Sequence, residues 1–195
     1  PGAIEADPTA IGNVATPPYV RLPDPLTLFA NRAARFRAYG DHHDLAPYMQ
    51  FLAGLSDIQV LIQDGLPDPN MPSASTLARA SEHKMPPLDR GAFTVDAVFD
   101  VTLARLTASA QSIAMPGAAR AMGNADAAWK ELMLRNVLAD SIPVETLAAH
   151  VFAAAALQVH FARLASRLVA DTLVAVGDGV CPACGGPPAA TVIVG

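Results

Sequence analysis

Cys181 and Cys184 lie in the run Gly179-Val180-Cys181-Pro182-Ala183-Cys184-Gly185-Gly186-Pro187-Pro188, and they are the two cysteines of a 195-residue chain. Their type and spacing suit one chemistry above others. A Cys-Pro-x-Cys-Gly turn presents two thiolates to a single zinc or iron ion. Pro182 sets φ for the turn, and Gly185 can take φ > 0, which lets backbone N–H groups after Cys181 point back at its sulfur. A closed structural zinc site takes four ligands, usually as two such pairs. No second pair follows before Gly195. The chain alone is therefore expected to carry no tetrahedral metal built wholly from its own ligands. The intact protein is expected to continue past Gly195 with further Cys-x-x-Cys pairs. Thiolate sites accept both zinc and iron, so the pattern does not choose between them.

A redox dithiol is the rival reading of the same pair, and a redox-active Cys-x-x-Cys protein or electron carrier would follow from it. That chemistry needs a strand before the motif and a helix starting at it. Here a helix and the glycine turn Gly177-Asp178-Gly179 precede, and Gly186-Pro187-Pro188 follows. The bland reading is two unligated thiols in a frayed tail.

The remaining polar residues make weaker patterns. His150 and His160 share the longest helical stretch, ten positions apart, and stand about 80° apart around its axis. They form no i, i+4 metal pair; one is expected in the core and the other solvated. Asp41-His42-His43-Asp44 reads as a polar connector before it reads as a weak metal cluster. His160, Arg163, Arg167 and Asp171 share a stripe that either complements the helix dipole or docks a neighbour. Arg32, Arg35 and Tyr39 lie off the apolar face of the first helix; a solvated face is the default, and a partner contact the sharper alternative. No nucleophile–base–acid set and no glycine-rich phosphate loop stands out, so a non-enzymatic protein is expected.

Helices must position these residues. Residues 1–23 are rich in proline and read as an extended arm. Asp24 and Pro25 supply an N-cap and a first-turn proline, followed by the stripe Leu26, Phe29, Ala33 and Phe36, with Gly40 as the stop. A second helix over about Leu45–Asp64 carries Tyr48, Phe51, Leu55, Ile58 and Ile62 on one face. Short helical pattern at Thr76–His83 is followed by a pattern resuming at Thr94 with Val95, Val98, Phe99, Leu103 and Leu106. One stretch is expected over Ala118–Ala139 and the longest helix over about Val144–Ala170. Thr191–Val194 reads as a short strand. The architecture is an all-α helical bundle over 24–176, followed over 177–195 by the first knuckle and strand of a small zinc-ribbon β element.

Composition narrows the function classes. The chain is 52% hydrophobic and 16% charged, with a net charge of −5. It has no Lys/Arg patch to track a phosphate backbone, so nucleic acid is not expected as a partner. Two cysteines three positions apart point to a reducing compartment. Residues 1–18 show no basic region followed by an apolar run, so no signal peptide is expected. The most apolar run, Val151–Leu157, is too short to span a bilayer and reads as a buried helix. No membrane insertion is expected, and homo-oligomerisation is left open.

The order of elements resembles FdhE, the formate dehydrogenase accessory protein. The likeness rests on Leu22-Pro23-Asp24-Pro25-Leu26 leading into Phe29-Ala30-Asn31-Arg32-Ala33-Ala34-Arg35. It continues through Tyr48-Met49-Gln50-Phe51-Leu52 and Pro86-Pro87-Leu88-Asp89, and ends on the Cys181–Gly185 turn with Pro187. The resemblance implies a cytoplasmic assembly factor for respiratory formate dehydrogenase, with the catalytic subunit as its partner. It also implies a C-terminal part with several Cys-x-x-Cys pairs, similar to rubredoxin knuckles, of which Cys181 and Cys184 match the first. A helical scaffold with a purely structural zinc ribbon is the remaining alternative.

Overall fold

The computed structural model describes residues 19–40, 44–113 and 115–187. Seven α-helices occur among them: α1 Pro25–Gly40, α2 Ala46–Leu61, α3 Ala74–Glu82, α4 Ala97–Ser109, α5 Pro116–Asn124, α6 Ala127–Leu138 and α7 Leu147–Ala165. The described residues contain no strand. The strand expected at Thr191–Val194 lies outside them, as do residues 1–18 of the N-terminal arm.

Local capping chemistry sets most helix starts. The Asp24 carboxylate accepts the Thr27 N–H at 3.0 Å, so α1 begins at Pro25 as its sequence implies. The Ser73 hydroxyl accepts the Thr76 N–H at 3.2 Å and opens α3. Asp96 accepts the Phe99 N–H at 2.7 Å, which delays α4 to Ala97 rather than Thr94. Asp126 accepts the Trp129 N–H at 2.8 Å. That cap divides the stretch expected over Ala118–Ala139 into α5 and α6, with Ala125 extended between them. The longest helix is also shorter than its pattern: single 3₁₀ turns at Val144–Thr146 and Ala170–Thr172 stand outside it. Gly40 stops α1 against α2, where a Cβ would stand 3.2 Å from the Met49 Cβ.

The core is one large cluster with α7 at its centre, touching α1, α2, α4, α5 and α6. Phe29, Phe99, Leu106, Met122, Phe152, Ala153, Ala156 and Val159 are wholly buried there. Each large side chain so placed contributes about 1.5–3 kcal/mol from area removed from water. The alanines of α7 let neighbouring backbones approach closely. Leu26, Tyr48 and Val95 open their stripes and are exposed instead of buried.

The helical run Val144–Ala165 is 22 residues with a mean hydropathy of 1.3, long and apolar enough by composition to cross a membrane. The expectation that the apolar run is too short is thereby corrected, because residues on both sides of Val151–Leu157 extend it. Other helices cover most of that run here, as they cover the centre of any bundle.

A second, smaller cluster carries the cysteine turn. Leu88, Leu164, Leu168, Leu173 and Ala183 are buried in it, and Val20, Leu22, Met71, Leu77, Phe161, Cys181 and Cys184 pack around them. Regular helix therefore ends well before Gly177, but packing continues across it: the knuckle rests on the last turn of α7 and on the loop before α4.

Candidate metal centre

The turn at Cys181 has the geometry a thiolate ligand pair requires. The Gly185 N–H donates to the Cys181 carbonyl at 2.8 Å, and the Cys181 N–H donates to the Gly186 carbonyl at 2.8 Å. Gly185 has φ +74°, the left-handed conformation expected of it. The N–H groups of Cys184 and Ala183 both point at the Cys181 sulfur, and the Gly186 N–H points at that of Cys184. The Cys181 thiol is held down at about 5, first by the hydrogen bond it receives from Cys184 and then by the two backbone N–H groups, against the opposing effect of burial. Cys184, as the donor in that pair and half-buried, is pushed up. One sulfur is thus charged and ready to ligate, and an ion arriving between them would displace the proton on the other.

The donor set fits half of a four-thiolate site. Among the described residues no group of three or more His, Cys, Asp or Glu side chains converges. Any further ligands come from outside these residues. Asp41, His42 and His43 lie outside the described residues, and Asp44 is exposed.

Sequence reasoning missed the residue that supports the knuckle. The Leu88 N–H donates to the Ala183 carbonyl at 2.8 Å and the Arg90 N–H to the Cys184 carbonyl at 3.0 Å, clamping the turn to the loop before α4. The Arg90 side chain then runs beneath Gly186, where a Cβ would stand 2.6 Å from its Nη1 and 2.9 Å from its Cδ. Its guanidinium donates to the Val137 carbonyl at 3.1 Å, to the Leu138 carbonyl and to the Asp140 carboxylate at 3.3 Å. A groove of about 970 Å³ opens between α4 and α6 with Arg90 at its edge. The signal in the sequence was slight: an arginine just after Pro86-Pro87-Leu88-Asp89.

The two histidines correct an expectation, because both are buried. The helix that carries them is enclosed on most sides, so 80° of rotation does not bring either to water. His150 donates from Nδ1 to the Thr146 carbonyl at 2.8 Å, leaving Nε2, 3.2 Å away, to accept from Asn136. His160 meets the rings of Phe93 and Phe99 edge-on, each with centroids 5.5 Å away. Burial pushes its pKa down, with Asp96 opposing and Arg163 reinforcing. A histidine with a lowered folded pKa leaves the unfolded chain holding more protons as pH falls below the ordinary value of about 6.5. Stability is accordingly full above that value and declines as pH falls through it. Melting temperatures measured from pH 7.5 to 5.5 should fall less steeply for His160→Phe than for the parent; equal slopes would show that His160 is not the group responsible.

The candidate partner face divides. Arg35 and Tyr39 are exposed, as a docking surface requires. Arg32 is not free for a partner: it lies over the Phe29 ring at 5.1 Å and donates to Gln158 Oε1 at 2.6 Å. Gln158 also accepts from the buried Gln59 amide at 3.1 Å. The reason is helical spacing: Arg32 is one turn beyond Phe29, on the side of α1 that meets α7. Arg32→Ala should cost about 1–2 kcal/mol, and Arg35→Ala should stay within about 0.5 kcal/mol, in urea unfolding of the two variants side by side. Arg163 and Arg167 are likewise engaged within the chain. Arg163 donates to the Pro67 carbonyl at 2.8 Å, and Arg167 pairs with Asp68. Their stripe docks the loop after α2.

Comparison with known proteins places the helical part of the chain in a family. The family described as "FdhE, N-terminal" matches residues 17–178, ending just before the knuckle. A protein FdhE homolog of Rhizobium meliloti (strain 1021) is 40% identical over 196 residues, covering 98% of this chain and 64% of that protein. A protein FdhE homolog of Stutzerimonas stutzeri (strain A1501) is 29% identical over 204 residues, covering 99% and 62%. The chain thus spans less than two thirds of the length of these relatives. The crystal structure of the FdhE protein from Pseudomonas aeruginosa superposes with a TM-score of 0.72 at 26% identity, over 86% of this chain and 60% of that one.

Proposed function

Because the chain belongs to the FdhE family, we propose that it is an accessory factor for formate dehydrogenase, acting in the cytoplasm on the catalytic subunit of that enzyme and performing no catalysis of its own. Cys181 and Cys184 supply two thiolates to an iron or zinc site whose other ligands lie outside the described residues. The observation that carries the metal reading is the closed Cys181–Gly186 turn, pinned by the Gly185 N–H on the Cys181 carbonyl and the Cys181 N–H on the Gly186 carbonyl, with Gly185 at positive φ. Such a turn fixes where the two sulfurs stand before an ion arrives. A bound ion would hold the knuckle closed; Cys181 and Cys184 would be its ligands, and Arg90 would orient them. The partner would meet the exposed side of α1 around Arg35 and Tyr39, residue types favoured at interface hot spots.

Complementation tests the whole reading. In a strain lacking its own FdhE, the parent chain in its native gene context should restore formate-dependent dye reduction, and the Cys181→Ser/Cys184→Ser variant should not. Full activity from the double variant would remove the metal pair from the function. Co-purification of the catalytic subunit should weaken for Arg35→Ala/Tyr39→Ala at unchanged melting temperature; undiminished capture would move the contact elsewhere.

A second reading rests on the closed turn, which holds both cysteines against one cluster. A dithiol that closes reversibly to a disulfide needs such proximity. Titration of the metal-free protein in glutathione buffers separates the two: a disulfide formed at cellular potentials favours redox chemistry, and stable metal loading favours ligation.

A further inference from the structure

We propose that Arg90 is the positioning residue of the knuckle, a guanidinium strut that fixes Cys181–Gly186 in its ligand-presenting conformation and couples it to the C-terminal end of α6. The inference deepens the metal reading and rests on it for the identity of the ligand.

Three observations carry it. First, Arg90 holds the knuckle from below with its own backbone, donating to the Cys184 carbonyl at 3.0 Å. Second, the side chain fills the space that a Cβ on Gly186 would need. A side chain at position 186 would force Arg90 to shift, so glycine lets the turn close over it as it stands. Third, the head of the side chain is not free to swing away. It donates to the Val137 and Leu138 carbonyls, at the end of α6, where helix carbonyls lack partners within the helix. Its side chain is 21% exposed, so these bonds are largely shielded from water. One residue therefore touches the cysteine turn at one end and a helix terminus at the other. An ion that tightens the turn should tighten the helix terminus, and loosening Arg90 should loosen both.

Hydrogen exchange on the full chain tests the strut without metal. In Arg90→Ala the Gly185 and Cys181 amides should exchange at least about fivefold faster, the cost of roughly one hydrogen bond, while the α2 amides keep their rates. Unchanged knuckle amides would overturn the proposal. Cadmium then serves as the probe of ligation, read by its sulfur-to-metal charge-transfer absorption. Arg90→Ala and Gly186→Ala should each weaken binding by about tenfold or more, the usual cost of losing a supporting partner of a ligand. The double variant should bind no worse than Arg90→Ala, since the close neighbours of the added methyl are Arg90 atoms. Additive losses would overturn the shared cause.

A plain helix cap would not pass the last arm. Cadmium should slow exchange at the Ala139 and Ser141 amides, which close the end of α6, in the parent and not in Arg90→Ala. Equal slowing in both would overturn the coupling. A parent chain that shows no cysteine-dependent cadmium signal would end the metal reading instead, and the metal-free exchange rates alone would then decide for or against Arg90 as the strut.

Discussion

Cadmium or zinc added to this chain should bind with a two-sulfur shell, and the Cys181→Ser/Cys184→Ser variant should show no sulfur ligation at all. Either single substitution should lower affinity by more than about 100-fold, the upper end of what losing a mere supporting partner costs. The sign follows from the donor chemistry. Serine keeps the size of cysteine but not an ionisable soft atom, so it cannot replace a thiolate toward these ions. X-ray absorption at the metal edge counts the sulfurs. Two sulfurs and light-atom ligands in one chain agree with a half site. Four sulfurs at one ion per two chains would mean that two copies close the site between them. Four sulfurs at one ion per single chain would contradict the ligand count among these residues.

What the sequence made legible follows the range over which each feature is determined. The Asp24-Pro25 start of α1 and the Cys181–Gly185 turn were readable because their chemistry is complete within five residues. A carboxylate meeting an N–H three residues on, or a glycine taking positive φ, needs no distant partner. The division of α5 from α6 was less visible. Apolar periodicity runs through Asn124–Asp126, and the Asp126 cap overrides it for a single hydrogen bond. Arg90 was invisible for the opposite reason. Its partners at Val137 and Cys184 are far along the chain and are joined only by the fold. Arg32 illustrates the same limit. Its place off the apolar stripe of α1 suggested solvent, but α7 comes close enough for Gln158 to meet it, 126 residues away.

His150→Ala should be among the most destabilising single substitutions in the chain, costing about 3–5 kcal/mol in chemical unfolding. Two losses combine at this position. The ring is wholly buried, so truncation leaves a cavity in the most enclosed helix of the bundle. The ring also joins two helices through Asn136 on α6 and turns back to the Thr146 carbonyl just before α7. Removing it leaves the partly buried Asn136 amide and Thr146 carbonyl without the ring as a partner. His150→Phe separates the two losses: it fills most of the volume and leaves the same polar groups unmet, so it should recover part of the loss and not all of it. Because a domain of this size has only about 5–15 kcal/mol of net stability, His150→Ala should populate unfolded chain near body temperature. Metal content per folded molecule should not change in either variant, since His150 has its two nitrogens committed to α6 and to the turn before α7. A drop in metal content at full folding would make His150 a ligand and would overturn its assignment to the core.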